Sequence, residues 1–124
     1  DGGIPSSLPV YKVVTPDGTP VTVCSFNDAG TSNKLNNYDY AYTTIPTAQS
    51  YTLTMTRTSG PTPNDPDFFI YTQDGFRIPA GSSVDGSETL TTGLEVRDYF
   101  ITLRDFANVD SSAGADSCYE FKIQ

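Results

Sequence analysis

The sequence predicts an all-β protein: an antiparallel β-sandwich, jelly-roll-like, with about eight strands. Three observations carry this. No stretch of about 12 residues keeps apolar positions at a 3.6-residue period without a Gly or Pro interrupting it. Period-2 alternation recurs along the chain instead. Clusters of Gly, Pro, Asn and Asp separate the alternating runs at the short spacing of a sandwich.

Taken in order, residues 1–8 read as a lead-in. Pro9 to Val14 and Val21 to Phe26 read as two strands flanking Thr15-Pro16-Asp17-Gly18-Thr19-Pro20. Pro presets φ and Gly accepts positive φ, so this is a turn, and the two strands are expected to form a hairpin. Residues 1–26 are therefore lead-in plus hairpin, and 27–124 are the sandwich with which the hairpin makes one compact domain. Asn27 to Asn37 reads as a polar loop. Tyr38 to Thr44 is the third strand. Tyr51 to Thr58 is the clearest, with Tyr51, Leu53 and Met55 on one face and four Thr on the other, the pattern of a half-buried strand. Asp67 to Thr72, Ser87 to Thr91, Tyr99 to Arg104 and Tyr119 to Ile123 complete the set. Turns are expected at Ile45-Pro46-Thr47, Ser59-Gly60-Pro61, Gln73-Asp74-Gly75 and Ala80-Gly81-Ser82, and a second polar loop at Asn108 to Ser117.

At 124 residues the chain is one domain's length. It carries 7 basic and 15 acidic residues and no His, for a net charge of −8. That balance argues against nucleic acid or an anionic membrane as partner. Without His there is no His-based triad and no His-ligated zinc. No apolar run approaches the ~18 residues of a membrane span. Few charges and abundant Thr, Ser, Gly, Asn and Tyr match a secreted, extracellular or periplasmic domain.

The two cysteines fit that compartment. Cys24 lies in an early strand and Cys118 opens the last, and a disulfide between them is expected. Closing so long a loop stabilises by about 4–5 kcal/mol in the chain-entropy model. The alternative is two buried thiols. Neither cysteine has a base to make it a nucleophile.

Several tracts, in order, resemble one family. Tyr38-Asp39-Tyr40-Ala41-Tyr42-Thr43-Thr44-Ile45-Pro46 is similar to its acidic–aromatic tract ending in Val-Pro. Ser50-Tyr51-Thr52-Leu53-Thr54-Met55 matches its next strand. Asn64-Asp65-Pro66-Asp67-Phe68-Phe69-Ile70-Tyr71 resembles Gly-Asp-x-Asp-Leu-Tyr-Val. Tyr99-Phe100-Ile101-Thr102-Leu103 and Tyr119-Glu120-Phe121-Lys122-Ile123 resemble its last two strands. The family is the bacterial pre-peptidase C-terminal domain, a small secreted β-sandwich appended to exported hydrolases. The chain departs from it in the cysteine pair, in the loop Ser111 to Ser117, and near Arg97-Asp98, where the family has Gly. The first 26 residues lie outside the match. The resemblance implies a non-catalytic accessory domain linked to polymer binding, export or maturation. A related branch, the collagen-binding domains of clostridial collagenases, binds calcium at an acidic edge and collagen on an aromatic face.

Read on their own chemistry, Asn27, Asp28, Asp39, Asp65 and Asp67 supply the hard oxygens calcium prefers, so calcium is the one cofactor to expect. The competing reading is that these residues cap turns and face water. Glu88, Glu95 and Glu120 are the only Glu, expected near strand ends or on exposed faces. They make a poor glycosidase pair in a domain too small for a deep cleft. Alternation turns Phe68 and Ile70 inward and Phe69 and Tyr71 outward, and sets Phe100 opposite Tyr99 and Ile101. Phe69, Tyr71 and Phe100 are thus candidate ligand-binding rings for sugars or peptide chains. Tyr38, Tyr40 and Tyr42 share one side and read as core.

The function expected is a non-catalytic accessory or binding domain of an exported bacterial hydrolase, peptidase-associated. It would bind a polysaccharide or extracellular protein polymer, contact the catalytic domain of its own precursor, or assist export. The alternative is a free-standing extracellular or periplasmic binding or protease-inhibitor-like protein.

Overall fold

A computed structural model describes residues 12–25, 39–60, 66–78, 86–105 and 117–124; for Cys24, Ser25, Asp39, Asp105 and Ser117 it describes the backbone alone. These residues form nine strands and no helix: β1 (Lys12–Val13), β2 (Val21–Ser25), β3 (Asp39–Thr44), β4 (Gln49–Ser59), β5 (Pro66–Thr72), β6 (Arg77–Ile78), β7 (Ser87–Leu94), β8 (Asp98–Asp105) and β9 (Ser117–Ile123). The expected all-β sandwich is the observed fold. One sheet has the order β1-β3-β8-β5-β6 and the other β2-β9-β4-β7. Every pairing is antiparallel except β1 with β3.

Alternation builds the core. On β4, Tyr51, Leu53 and Met55 are buried, while Thr52 and Thr54 are half-exposed and Thr56 exposed. On β5, Phe68 and Ile70 face inward between Asp67, Phe69 and Tyr71. Ile101 and Leu103 of β8 and Tyr119, Phe121 and Ile123 of β9 close the layer between the sheets. Phe68 and Phe121 meet edge-to-face across it, centroids 5.4 Å apart. Two of the buried Tyr hydroxyls bond to the backbone: Tyr51 Oη donates to the Thr47 carbonyl at 2.8 Å, and Glu95 N–H donates to Tyr99 Oη at 3.0 Å.

The expected N-terminal hairpin does not form. β1 pairs with β3 and β2 with β9, so the two strands belong to different sheets. The turn itself is present. Gly18 has φ +88°, Asp17 Oδ1 accepts from Thr19 N–H at 2.9 Å, and Gly18 N–H donates to the Ile123 carbonyl at 2.8 Å. Turn chemistry dictates where the chain reverses but not which sheet receives the next strand. Residues 12–25 are therefore built into the sandwich, not appended to it. β6 is too short for alternation to reveal, with only two residues. The turn before it is the expected one, with Gly75 at φ +85° and its N–H donating to the Thr72 carbonyl. The expected turn at Ala80 to Ser82, the two polar loops, and Pro9 to Tyr11 lie outside the described residues.

Glu88 corrects another expectation. It is not on an exposed face but 2% exposed, on the inner side of β7 opposite Met55. Its Oε2 accepts from Phe68 N–H at 2.8 Å, so a carboxylate on one sheet satisfies a backbone donor on the other. A hydrogen bond of this kind offsets part of the cost of burying both groups.

Candidate functional site

The candidate site is the outer face of the five-stranded sheet. Its registers place Val13, Tyr42, Phe100, Tyr71 and Arg77 side by side from β1 to β6. At ~4.8 Å per strand this row is about 19 Å long. Next to it lies Tyr40–Thr102–Phe69, and beyond that Arg104 beside Asp67. Tyr42 and Phe100 pack edge-to-face at 5.5 Å. Phe69 has two guanidinium groups near its ring, Arg77 at 5.2 Å and Arg104 at 5.8 Å from the centroid. Both lie within cation–π range. Arg104 Nε also donates to Asp67 Oδ2 at 3.1 Å.

The outward direction of Phe69, Tyr71 and Phe100 is as alternation requires. Tyr40 and Tyr42 are a correction: they point outward too. Ala41 takes the inward position opposite Ile101, and both are fully buried. Tyr40 is 7% and Phe100 8% exposed, yet neither belongs to the core cluster between the sheets. They are buried on the outside of the sandwich. The small side chain of Ala41 hides the strand's sense, because hydrophobicity alone turns the two flanking rings inward. Tyr38 lies outside the described residues. Thr102 Oγ1 is buried in this face between Tyr40 and Phe69, with no hydrogen-bond partner among the described residues.

One end of the face is set by Asp98. Thr44 Oγ1 donates to its Oδ1 at 2.7 Å and Gln73 Nε2 to its Oδ2 at 3.3 Å. Hydrogen bonds from the hydroxyls of Tyr42 and Thr44 hold its carboxyl below the ordinary 3.8. Asp74 is held low likewise, first by the Thr72 hydroxyl and further by Arg97, 3.5 Å away.

Of the expected calcium ligands, Asn27, Asp28 and Asp65 lie outside the described residues, and for Asp39 only the backbone position is known, opposite Leu103. Asp67 is described, and its carboxylate is paired with Arg104. Among the described residues no three His, Cys, Asp or Glu side chains come together as a metal group. Cys24 sits opposite Cys118 in the β2–β9 register. Cys118 is disulfide-bonded, and no described cysteine is a free thiol. Among the described residues no helix is long and apolar enough to cross a membrane.

No protein-family model matches the sequence, and no curated protein matches it. Solved structures do. The pre-peptidase C-terminal domain of a collagenase from Bacillus anthracis superposes with a TM-score of 0.69 over 95% of this chain and 99% of that one, at 9% identity. The fold is thus the one the sequence tracts resemble. A periplasmic inhibitor of g-type lysozyme, PliG from Aeromonas hydrophila, gives a TM-score of 0.42 at 15% identity, over 91% of this chain and 98% of that one.

Proposed function

We propose that this chain is a non-catalytic accessory domain that binds an extended polymer, peptide or polysaccharide, across the outer face of its five-stranded sheet. The observation that carries this is the row Tyr42–Phe100–Tyr71–Arg77 with Phe69 held between two arginines. Tyr42 and Tyr71, half-exposed on either side of the buried Phe100, stand about 10 Å apart at the strand spacing and suit stacking along a chain of sugars or against peptide groups. The arginines put positive charge on one face of a protein of net charge −8. The fold shared with the collagenase domain supports an accessory role in an exported hydrolase, placed outside the cell or in the periplasm. A free-standing binding or inhibitor-like protein would use the same face.

The test is retention on insoluble polymers: collagen, chitin and cellulose. The wild-type protein is retained on one of them, and Phe69→Ala and Tyr71→Ala each weaken retention at unchanged melting temperature. Equal retention of wild type and both variants overturns the reading.

Two further assignments belong to this proposal. Calcium would draw on Asn27, Asp28, Asp39 and Asp65, and would compete with Arg104 for Asp67. A ligand that binds only the native state raises the melting temperature, so a flat calcium titration removes the ion. The partner of Cys118 is assigned to Cys24, the chain's only other cysteine. Thr52 and Gln124 exchange both backbone bonds, at 2.7 and 2.9 Å. Even-numbered residues at that end of the last strand therefore face β4. Counting back along β9 makes Cys24 and Cys118 a non-hydrogen-bonded pair across β2–β9, with Cα atoms about 4.5 Å apart. That is within the span of a disulfide. Non-reducing mass analysis that finds two free thiols would remove it.

A further inference from the structure

Among the described residues the four-stranded sheet ends at β7, and that edge supports an inference separate from the aromatic face. The backbone polarity of β4 follows from three bonds. Thr52 exchanges both of its bonds with Gln124, so its N–H and C=O face β9. Arg57 N–H donates to the Gly86 carbonyl at 2.7 Å, so odd-numbered residues of β4 face β7. The β4–β7 register runs without a break from Gln49↔Leu94 to Thr56↔Ser87. Thr92, Leu90 and Glu88, opposite Tyr51, Leu53 and Met55, therefore bond to β4. Thr89, Thr91 and Gly93 turn their N–H and C=O away from it, past the last strand of the sheet.

All three residues are exposed, and a Cβ added at Gly93 would meet nothing within 4 Å. The other edges differ. β1 and β6 are two residues long and β2 is five, against eight for β7. β7 also lacks the usual protections of an edge. It has no Pro and no Lys, its pairing has no bulge, and its one charge, Glu88, points inward.

We propose that β7 pairs antiparallel with β7 of a second copy of this chain, about a twofold axis through Thr91. The occupant follows from the sequence of the edge. With Thr91 opposite Thr91, Thr89 falls opposite Gly93. Every outward N–H and C=O of the three residues then meets a partner, and no outward charge between Ser87 and Leu94 enters the seam. The ladder of hydroxyls that begins with Thr52 Oγ1 and Thr91 Oγ1, 3.0 Å apart, continues into the second copy. Two four-stranded sheets become one of eight strands, and the aromatic faces stay free.

Sedimentation velocity from about 10 μM to about 1 mM, the range of weak association, reads the proposal. Wild-type protein shifts from monomer to dimer as concentration rises. Thr91→Pro removes one outward N–H that the native ladder does not use, and stays monomeric. Thr89→Lys places a charge opposite Gly93 without touching the backbone, and also stays monomeric. Amide exchange locates the contact: Thr89, Thr91 and Gly93 gain protection with concentration, while Leu90 and Thr92 are protected throughout. A wild-type protein that is monomeric at the highest concentration overturns the proposal. So does a dimer that survives in the Lys variant, or one in which those three amides exchange as fast as in the monomer.

Discussion

The two outer faces of the sandwich arise from the same alternation and are built in opposite ways. On the five-stranded sheet the outward positions are Tyr40, Tyr42, Phe69, Tyr71 and Phe100. On the four-stranded sheet they are Thr52, Thr54 and Thr56, with Ser87, Thr89 and Thr91 opposite. Tyr40 and Phe100 are buried although no second sheet of the described residues lies above them, and Phe100 packs edge-to-face on Tyr42. The hydroxyls of the other face bond in pairs, Thr52 with Thr91 at 3.0 Å and Thr56 with Ser87 at 3.3 Å. An outward position is therefore not a neutral one: its energetic weight depends on what its cross-strand neighbours are.

The comparison breaks entirely where the faces share a foundation. Phe121→Ala removes a fully buried ring between the sheets and should cost about 3–5 kcal/mol in denaturant unfolding, undermining both faces together. Next comes the contrast itself. Phe100→Ala should cost about 2 kcal/mol although it lies outside the core. Thr54→Ala, outward on the other sheet, should stay within about 0.5 kcal/mol. Equal losses at the two positions would mean that the faces do not differ in this way. A finer measurement concerns the hydroxyl pairs: in a double-mutant cycle, Thr52→Ala and Thr91→Ala should couple by about 0.2–1 kcal/mol.

The smallest effect is electrostatic. Asp98 should titrate below 3.8 by NMR, and Tyr42→Phe, which removes the hydroxyl that most lowers it, should move the midpoint back up. A carboxyl whose folded value is depressed contributes stability that is present above its unfolded value and is lost as pH falls through the folded one. The loss therefore lies at pH values below 3.8, and Tyr42→Phe should make it smaller.

Most strands are legible in the sequence because they alternate over six or more residues. β4, β5, β8 and β9 carry large apolar side chains at every second position, and the core residues among them follow directly. Three features are not legible, each for a physical reason. Alternation gives β3 two faces without saying which is inner, so Tyr40 and Tyr42 are read inward until the register sets Ala41 against Ile101. The Pro-Asp-Gly turn marks a reversal, but the sheet each flanking strand joins depends on partners far along the chain. Glu88 is read as exposed because its type is charged, whereas its place is decided by a backbone donor on the other sheet. Of the candidate site, the outward rings Phe69, Tyr71 and Phe100 are visible from sequence. The arginines that flank Phe69 are not, since Arg77 lies on a strand too short to recognise and the approach of Arg104 depends on the β5–β8 register, which pairs residues far apart in the chain.

The position of β9 has a consequence for the order in which the chain can fold. Among the described residues β2 pairs with β9 alone, and β9 lies between β2 and β4. Val21 must therefore wait for Phe121. During synthesis β4 and β7 can pair first, and β2 joins their sheet only once β9 has been made to bridge it to β4. Contacts so distant in sequence slow folding. The closing strand works as a latch that ties the first strand of this sheet to the rest.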